Sequence, residues 1–218
     1  NFIPRFYLSK KQIERNVRLY GYVEEVRKLY DNDCIVVVLP THISNLDSPL
    51  IGYMLEFRAG LPAFNYAAGL NLFNSEIAAY FMNRLGAYRV DRRKKNKIYL
   101  EALTSYSEYA IEDGVNSLFF PGGTRSRSGK IEEKLKLGLL STLFDAQREL
   151  LKKSDQKKII IVPMMVSMHF TLEANALIDQ HLRLTGREKY LRRKNKERSF
   201  FDYFRLIYKF HTNRSEAI

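Results

Sequence analysis

A histidine, His42, lies five residues before an aspartate, Asp47, directly after an apolar run at residues 35–39. Because an imidazole titrates near neutral pH, it can remove a proton from a substrate hydroxyl. A neighbouring carboxylate can fix the tautomer of the imidazole and stabilise the imidazolium that forms. The spacing alone is more typical of a hydrogen-bonded structural histidine beside a turn. The function of the pair therefore depends on the motifs that follow it.

A second group of reactive side chains lies in a loop at residues 121–130, after an apolar run at 117–120. Two adjacent glycines, Gly122 and Gly123, allow the backbone to approach a ligand closely. Arginines and backbone amides can then hold a phosphate with charge-assisted hydrogen bonds. The loop lacks the Gly-x4-Gly-Lys-Ser/Thr order of a nucleotide-binding loop. We therefore predict a phosphate site, against the alternative of a solvated basic turn, with candidate residues Gly123, Thr124, Arg125 and Ser126.

Arg92 is a further candidate, because it follows a short strand predicted at residues 87–90. It can face a ligand anion or pair with its neighbour Asp91, and the sequence favours neither. Residues 159–167 form another apolar strand, in which Pro163 indicates a sheet edge or a bulge.

The composition limits the chemical classes of partner that the protein is expected to bind. The formal net charge is +12, from 36 Lys and Arg against 24 Asp and Glu, which indicates an anionic partner. We expect a membrane surface or phosphorylated small molecules rather than nucleic acid, because no RNA- or DNA-binding motif is present. A single cysteine, Cys34, excludes an intramolecular disulfide and indicates a reducing compartment. No stretch reaches the roughly 20 apolar residues of a transmembrane helix.

Apolar strands alternate with amphipathic helices along the chain. This pattern predicts an α/β fold with a mixed, largely parallel central sheet flanked by helices. We expect a single domain over residues 1–218, with a helical segment at 1–32 and a basic, aromatic helical segment at 172–218. The predicted strands are 35–39, 63–67, 87–90, 117–120 and 159–167, and the predicted helices are 10–30, 47–57, 74–85, 95–112, 135–153 and one from 172.

In this order, four motifs resemble those of the glycerolipid acyltransferases, the superfamily of glycerol-3-phosphate and 1-acylglycerol-3-phosphate acyltransferases. His42 and Asp47 match its His-x4-Asp motif, and residues 86–92 match its Gly-x5-Arg strand. Residues 120–126 match its Phe-Pro-Glu-Gly-Thr-Arg-Ser loop, and residues 162–163 match its Val-Pro strand. Residues 67–72 and 125–129 are closer to the glycerol-3-phosphate branch.

The resemblance implies transfer of a fatty acyl group from acyl-CoA or acyl-carrier protein to a hydroxyl of glycerol-3-phosphate, in phospholipid biosynthesis. Lysophosphatidate is the alternative acceptor. His42 would be the general base and Asp47 would orient it, while Arg125 and Arg92 would bind the acceptor phosphate. The implied reaction needs the thioester as co-substrate and no metal or other cofactor. It also implies an enzyme associated with the cytoplasmic face of a membrane.

One position departs from the family pattern. Gly122 stands where the family loop has a glutamate, which the resemblance implies helps to organise the acceptor site. An alternative function is therefore a catalytically weakened, membrane-binding homologue. The basic residues within 183–198, the aromatic residues within 200–208 and the helix near 50–57 are predicted to contact anionic lipid, each basic residue contributing about 1 kcal/mol.

Overall fold

The computed structural model describes residues 17–44, 47–73, 76–91, 93–123, 125–126, 135–168, 174–187 and 190. Helices and strands alternate along this part of the chain. A π-helical turn, Met54–Arg58, follows the helix Asp47–Tyr53, and a 3-10 turn, Leu70–Phe73, follows the strand Asn65–Gly69. The elements are α1 Val23–Asp31, β1 Ile35–Pro40, α2 Asp47–Tyr53, β2 Asn65–Gly69, α3 Glu76–Arg84, β3 Ala87–Val90, α4 Lys97–Glu112, β4 Ser117–Leu118, α5 Leu137–Leu140, α6 Thr142–Lys152, β5 Ile159–Met164 and α7 Ala174–Leu184.

The five strands form one sheet in the order β3-β2-β4-β1-β5. Each described strand pair is parallel, which confirms the predicted α/β class. Pro163 lies in β5 at the edge of this sheet, as its missing amide hydrogen requires. Since parallel strands run in one direction, the loops after β1, β3 and β4 all leave from the side of the sheet at which the strands end, its carboxyl edge.

β1 is the buried centre of this arrangement. Ile35 and Val37 belong to a core cluster with residues of α4 and α6, whereas Val36 and Val38 belong to a cluster with residues of α2 and β2. Alternate residues of a strand point to opposite faces, so a strand that is apolar throughout belongs to a sheet that is packed on both faces. The strand that leads to His42 is therefore held rigidly by packing.

Two helices differ from the pattern in the sequence. Within the described residues, the first predicted helix is present only as Val23–Asp31, and residues 17–22 are not helical. The helix predicted at 135–153 is divided at Ser141 into α5 and α6. The hydroxyls of Ser141 and Thr142 donate to the carbonyls of Gly138 and Leu139, at 2.9 and 2.6 Å. Ser141 nevertheless keeps helical backbone angles, and its amide donates to the Leu137 carbonyl at 2.7 Å, so the division is a local change in hydrogen bonding.

The chain divides into two compact units, residues 1–174 and 175–218. The sheet and the helices from α1 to α6 belong to the first unit. Apart from its first residue, Ala174, α7 belongs to the second unit, as does the turn after it. The described part of the chain contains no helix that is long and apolar enough to cross a bilayer.

Gly86, the residue before β3, lies against the backbone of Phe64, the residue before β2, and provides a test of this close contact between the two strand starts. Its φ is +83°, and a Cβ atom there would overlap the carbonyl oxygen of Phe64. We expect Gly86→Ala to lower the free energy of unfolding by about 2–3 kcal/mol, because both the backbone conformation and the contact become strained. Urea denaturation followed by circular dichroism measures this change. Gly138→Ala is the matched control, since Gly138 has nothing within 4 Å of its added Cβ, and an equal loss in both variants would contradict the explanation.

Candidate active site

The position of His42 is fixed by an extension of the pairing between β1 and β5. After β1 ends, the Thr41 amide donates to the Met164 carbonyl at 3.0 Å. The Val166 amide then donates to the Thr41 hydroxyl at 2.9 Å. These bonds continue the register beyond the strand, so His42 leaves the sheet edge in a defined direction.

His42 and Asp47 form the pair that their spacing indicates. Nδ1 of His42 lies 2.8 Å from Oδ2 of Asp47, and the same oxygen accepts the amides of Ile43 at 2.7 Å and Ser44 at 2.8 Å. The carboxylate oxygen acts as the acceptor in this cluster, so we assign the ring hydrogen to Nδ1. Nε2 is then the nitrogen that is able to accept a proton. The His42 side chain is 15% exposed, which leaves it accessible from the surface.

Burial makes the Asp47 carboxylate dependent on these few contacts. The side chain is fully buried, and Oδ1 has no hydrogen-bond partner among the described residues. A buried charge is costly unless it is compensated. Compensation comes from the bonds to Oδ2 and from the position of Asp47 at the first residue of α2, where the helix dipole favours negative charge.

The glycine-rich loop contacts His42 at two points. The Phe120 ring stacks on the imidazole with 4.0 Å between centroids and 26° between planes. The Ser126 amide donates to the His42 carbonyl at 2.7 Å. The structure therefore brings the predicted phosphate loop directly against the predicted base, two groups that are more than 75 residues apart in sequence.

Lys136 is a candidate residue that the sequence analysis missed. Its amide donates to the Pro121 carbonyl at 2.8 Å, and its side chain lies across Gly123. A Cβ atom on Gly123, whose φ is +67°, would lie 2.6 Å from Cδ of Lys136. Lys136 thus adds a cation to the loop that also carries Arg125, which is half-buried. No motif spacing indicates this contact, because it depends on the return path of the chain after the loop.

The other predicted site residues, Arg92 and Thr124, lie outside the described residues and stay predictions. Next to Arg92, the Asp91 carboxylate accepts two bonds from Arg93, from Nε at 3.0 Å and from Nη2 at 3.1 Å. These bonds lower the pKa of the Asp91 carboxyl below its ordinary value. The Asp91 amide donates to Tyr99 Oη at 2.8 Å, which ties the turn after β3 to α4.

A small, mostly apolar cavity of about 20 Å³ begins one residue after Asp47. It runs between α2 and β2, and Ser48, Gly52, Leu55, Phe64 and Tyr66 are among the residues that line it. Burial raises the pKa of Tyr66 to about 12, so its hydroxyl stays protonated at neutral pH. Among the residues that the structure describes, no three His, Cys, Asp or Glu side chains come together as metal ligands.

Comparison with known proteins shows the family of the chain. A family model described as Acyltransferase matches residues 22–167. The glycerol-3-phosphate acyltransferase of Baumannia cicadellinicola is 32% identical over 152 residues, covering 69% of this chain and 18% of that protein. The glycerol-3-phosphate acyltransferase of Pseudomonas paraeruginosa is 29% identical over 188 residues, covering 86% of this chain and 20% of that protein. The chain belongs to the acyltransferase family, and it spans about a fifth of the length of these relatives.

A solved structure is also similar at lower identity. The 1-acyl-sn-glycerophosphate acyltransferase PlsC of Thermotoga maritima matches with a TM-score of 0.39 and 17% identity. The match covers 80% of this chain and 81% of that one.

Phe120 supplies a prediction about how the imidazole is oriented. We expect Phe120→Leu to lower kcat for acyl transfer about tenfold to a hundredfold, because a small displacement of a reacting group is costly. Phe120→Tyr retains the ring face and should retain most of the activity. Steady-state kinetics, with unfolding measured alongside, checks this. Equal kcat values in the Leu variant and the unchanged protein would contradict a positioning function for the stacked ring.

Proposed function

We propose that the chain catalyses transfer of a fatty acyl group from an acyl thioester to a hydroxyl of glycerol-3-phosphate. Family membership and the named relatives support acyl transfer to a glycerol phosphate. The observation that carries the proposal is the bond between the Ser126 amide and the His42 carbonyl. It places a basic, glycine-rich loop beside a histidine paired with a buried aspartate.

In the proposed reaction, His42 Nε2 takes the proton of the acceptor hydroxyl while the hydroxyl oxygen attacks the thioester carbonyl. The tetrahedral intermediate collapses with cleavage of the C–S bond, and the imidazolium returns the proton to the thiolate. Asp47 holds the ring and stabilises the imidazolium, and no enzyme nucleophile takes part. General-base assistance of this kind contributes roughly 10²–10⁴-fold. The remaining acceleration comes from the positioning of the two substrates.

The acceptor phosphate is assigned to the loop after β4. Arg125 supplies a planar guanidinium that can make two parallel bonds to phosphate oxygens. Lys136 adds a second positive charge, and Gly123 leaves room for its side chain. Thr124 and Ser126 supply hydroxyl groups, and Arg92 is assigned to the same phosphate as a prediction from its motif.

The acyl thioester is assigned to the His42 side of the site, because its carbonyl carbon must meet the acceptor hydroxyl there. Acyl-CoA and acyl-carrier protein are both suitable donors, and we assign no metal or other cofactor to the reaction. The product is an amphiphilic, anionic lipid, so we also assign the protein to the surface of a membrane, on its cytoplasmic face. The basic and aromatic residues within 183–208 that we predict to contact lipid lie mainly outside the described residues.

Gly122 favours a second candidate function. It replaces the glutamate that the resemblance places at this position, and a weakened acceptor site would leave a membrane-binding homologue with little activity. Lysophosphatidate is the second candidate acceptor, because it carries the same phosphate and a neighbouring hydroxyl.

Acyl transfer to radiolabelled glycerol-3-phosphate tests the proposal. We expect the unchanged protein to form labelled lysophosphatidate from acyl-CoA. His42→Ala should form it at least a hundredfold more slowly, since the base is removed. A parallel assay with lysophosphatidate compares the two acceptors. Equal label in both proteins, at the level of a blank, would exclude the enzyme and favour the weakened homologue.

Substitution of Lys136 separates acceptor binding from chemistry. We expect Lys136→Gln to raise KM for glycerol-3-phosphate about tenfold with a smaller change in kcat, because a charge-assisted bond to phosphate contributes about 1.5–3 kcal/mol. The KM for the acyl donor should stay the same. Lys152→Gln is a matched control, because Lys152 pairs with Glu149 on the outer face of α6. A similar rise of KM in both variants would contradict a local function for Lys136.

A further inference from the structure

Two leucines flank Lys136 and are largely exposed. Leu135 is 51% exposed and Leu137 is 61% exposed. We call residues 135–137 the site rim. An exposed leucine by itself is ordinary. Two of them on either side of an exposed lysine form a small amphipathic surface of the kind that enters the headgroup region of a bilayer.

The site rim lies directly beside the candidate active site. The bond from the Lys136 amide to the Pro121 carbonyl and the passage of its side chain across Gly123 fix this position. Pro121 follows Phe120, the residue that stacks on His42. The leucines are therefore held next to the loop that contacts His42.

The start of α4 leaves the sheet at the same edge and has the same character. It follows β3, as the loop 121–134 follows β4, and parallel strands share one carboxyl edge. Ile98 is 77% exposed and Leu100 is 46% exposed. Basic side chains accompany them, namely Arg93, Lys94, Lys95 and Lys97.

Acidic side chains gather farther along the same helices. Glu108, Glu112, Asp145 and Glu149 are close enough that burial and their mutual repulsion raise the pKa of Glu108. Three of these acids are offset by ion pairs, Asp145 with Arg148, Glu149 with Lys152 and Glu112 with Lys153. At the other end, the cations at residues 93–97 and Lys136 outnumber the acidic groups beside them, Asp91 and Glu101.

We propose that the site rim, together with the start of α4, docks on an anionic lipid bilayer, with the leucines inserted among the headgroups and Lys136 at their level. Charge complementarity identifies this partner, because the exposed cations of this edge match an anionic surface. A protein partner would not require cations and apolar groups next to the candidate active site. The inference rests on the proposed function in one respect, since an amphiphilic product leaves an active site most readily where that site faces a bilayer.

The chain contains no tryptophan, so one introduced indole reports on its own position. The experiment compares Leu137→Trp with Leu151→Trp, mixed with vesicles of phosphatidylglycerol and phosphatidylcholine. Leu151 is 67% exposed on the last turn of α6, where the chain returns to the opposite edge of the sheet. We expect emission from position 137 to shift to shorter wavelength and to be quenched by brominated lipid, whereas emission from position 151 stays unchanged. Unchanged emission at 137 in protein that sediments with the vesicles overturns the proposal, and so does a failure to sediment.

A second pair of variants measures the contribution of the rim. We expect the double variant Leu135→Gln, Leu137→Gln to lower the partition coefficient on anionic vesicles roughly tenfold, since two apolar groups no longer leave water on docking. Leu151→Gln should leave it unchanged. Equal partition of both variants overturns the proposal.

The same measurement in His42→Ala protein separates docking from catalysis. Docking by that variant, without acyl transfer by either protein, would reject the proposed function and leave the surface in place. Acyl transfer without docking would reject the docking surface and support the proposed function.

Discussion

One carboxylate oxygen, Oδ2 of Asp47, fixes the geometry of the candidate site. It accepts the His42 ring and the amides of Ile43 and Ser44 within 2.8 Å, and it does so in complete burial. A buried charge with so few contacts cannot lose one cheaply, because the remaining bonds must offset its desolvation. The same oxygen therefore determines the ring orientation, the path of the backbone after β1 and the first residue of α2. Structural and chemical functions coincide in this residue.

The parallel sheet converts this local arrangement into a site. Because the neighbouring strands β1 and β4 end on the same side of the sheet, residues that are distant in sequence leave it close together. β1 is buried on both faces, so the His42 side of the site is attached to the least mobile strand of the fold. The loop after β4 approaches this fixed point through the Phe120 ring and the Ser126 amide. Packing thus supplies the rigidity, and the loop supplies the polar groups.

The features that the sequence predicts are those that depend on local patterns. Apolar runs predict β1 and β5 within a few residues, and a five-residue spacing predicts the bond between His42 and Asp47. The stacking of Phe120 on His42 and the passage of Lys136 across Gly123 depend on how the chain returns after a loop, and no spacing records that path. The two hydroxyl bonds at the division between α5 and α6 are local contacts that a hydrophobic period cannot detect. Arg92 and Thr124, predicted from their motifs, lie outside the described residues.

The contact between Ser126 and His42 joins main-chain atoms at both ends. Side-chain substitutions in the loop can therefore change what it recognises without changing how far it lies from the base. Such an arrangement separates the evolution of substrate choice from the evolution of reactivity. Under the proposed function, a replacement in this loop, such as the Gly122 that stands in place of the glutamate of the resembling family, would alter acceptor binding and leave the distance to the base unchanged.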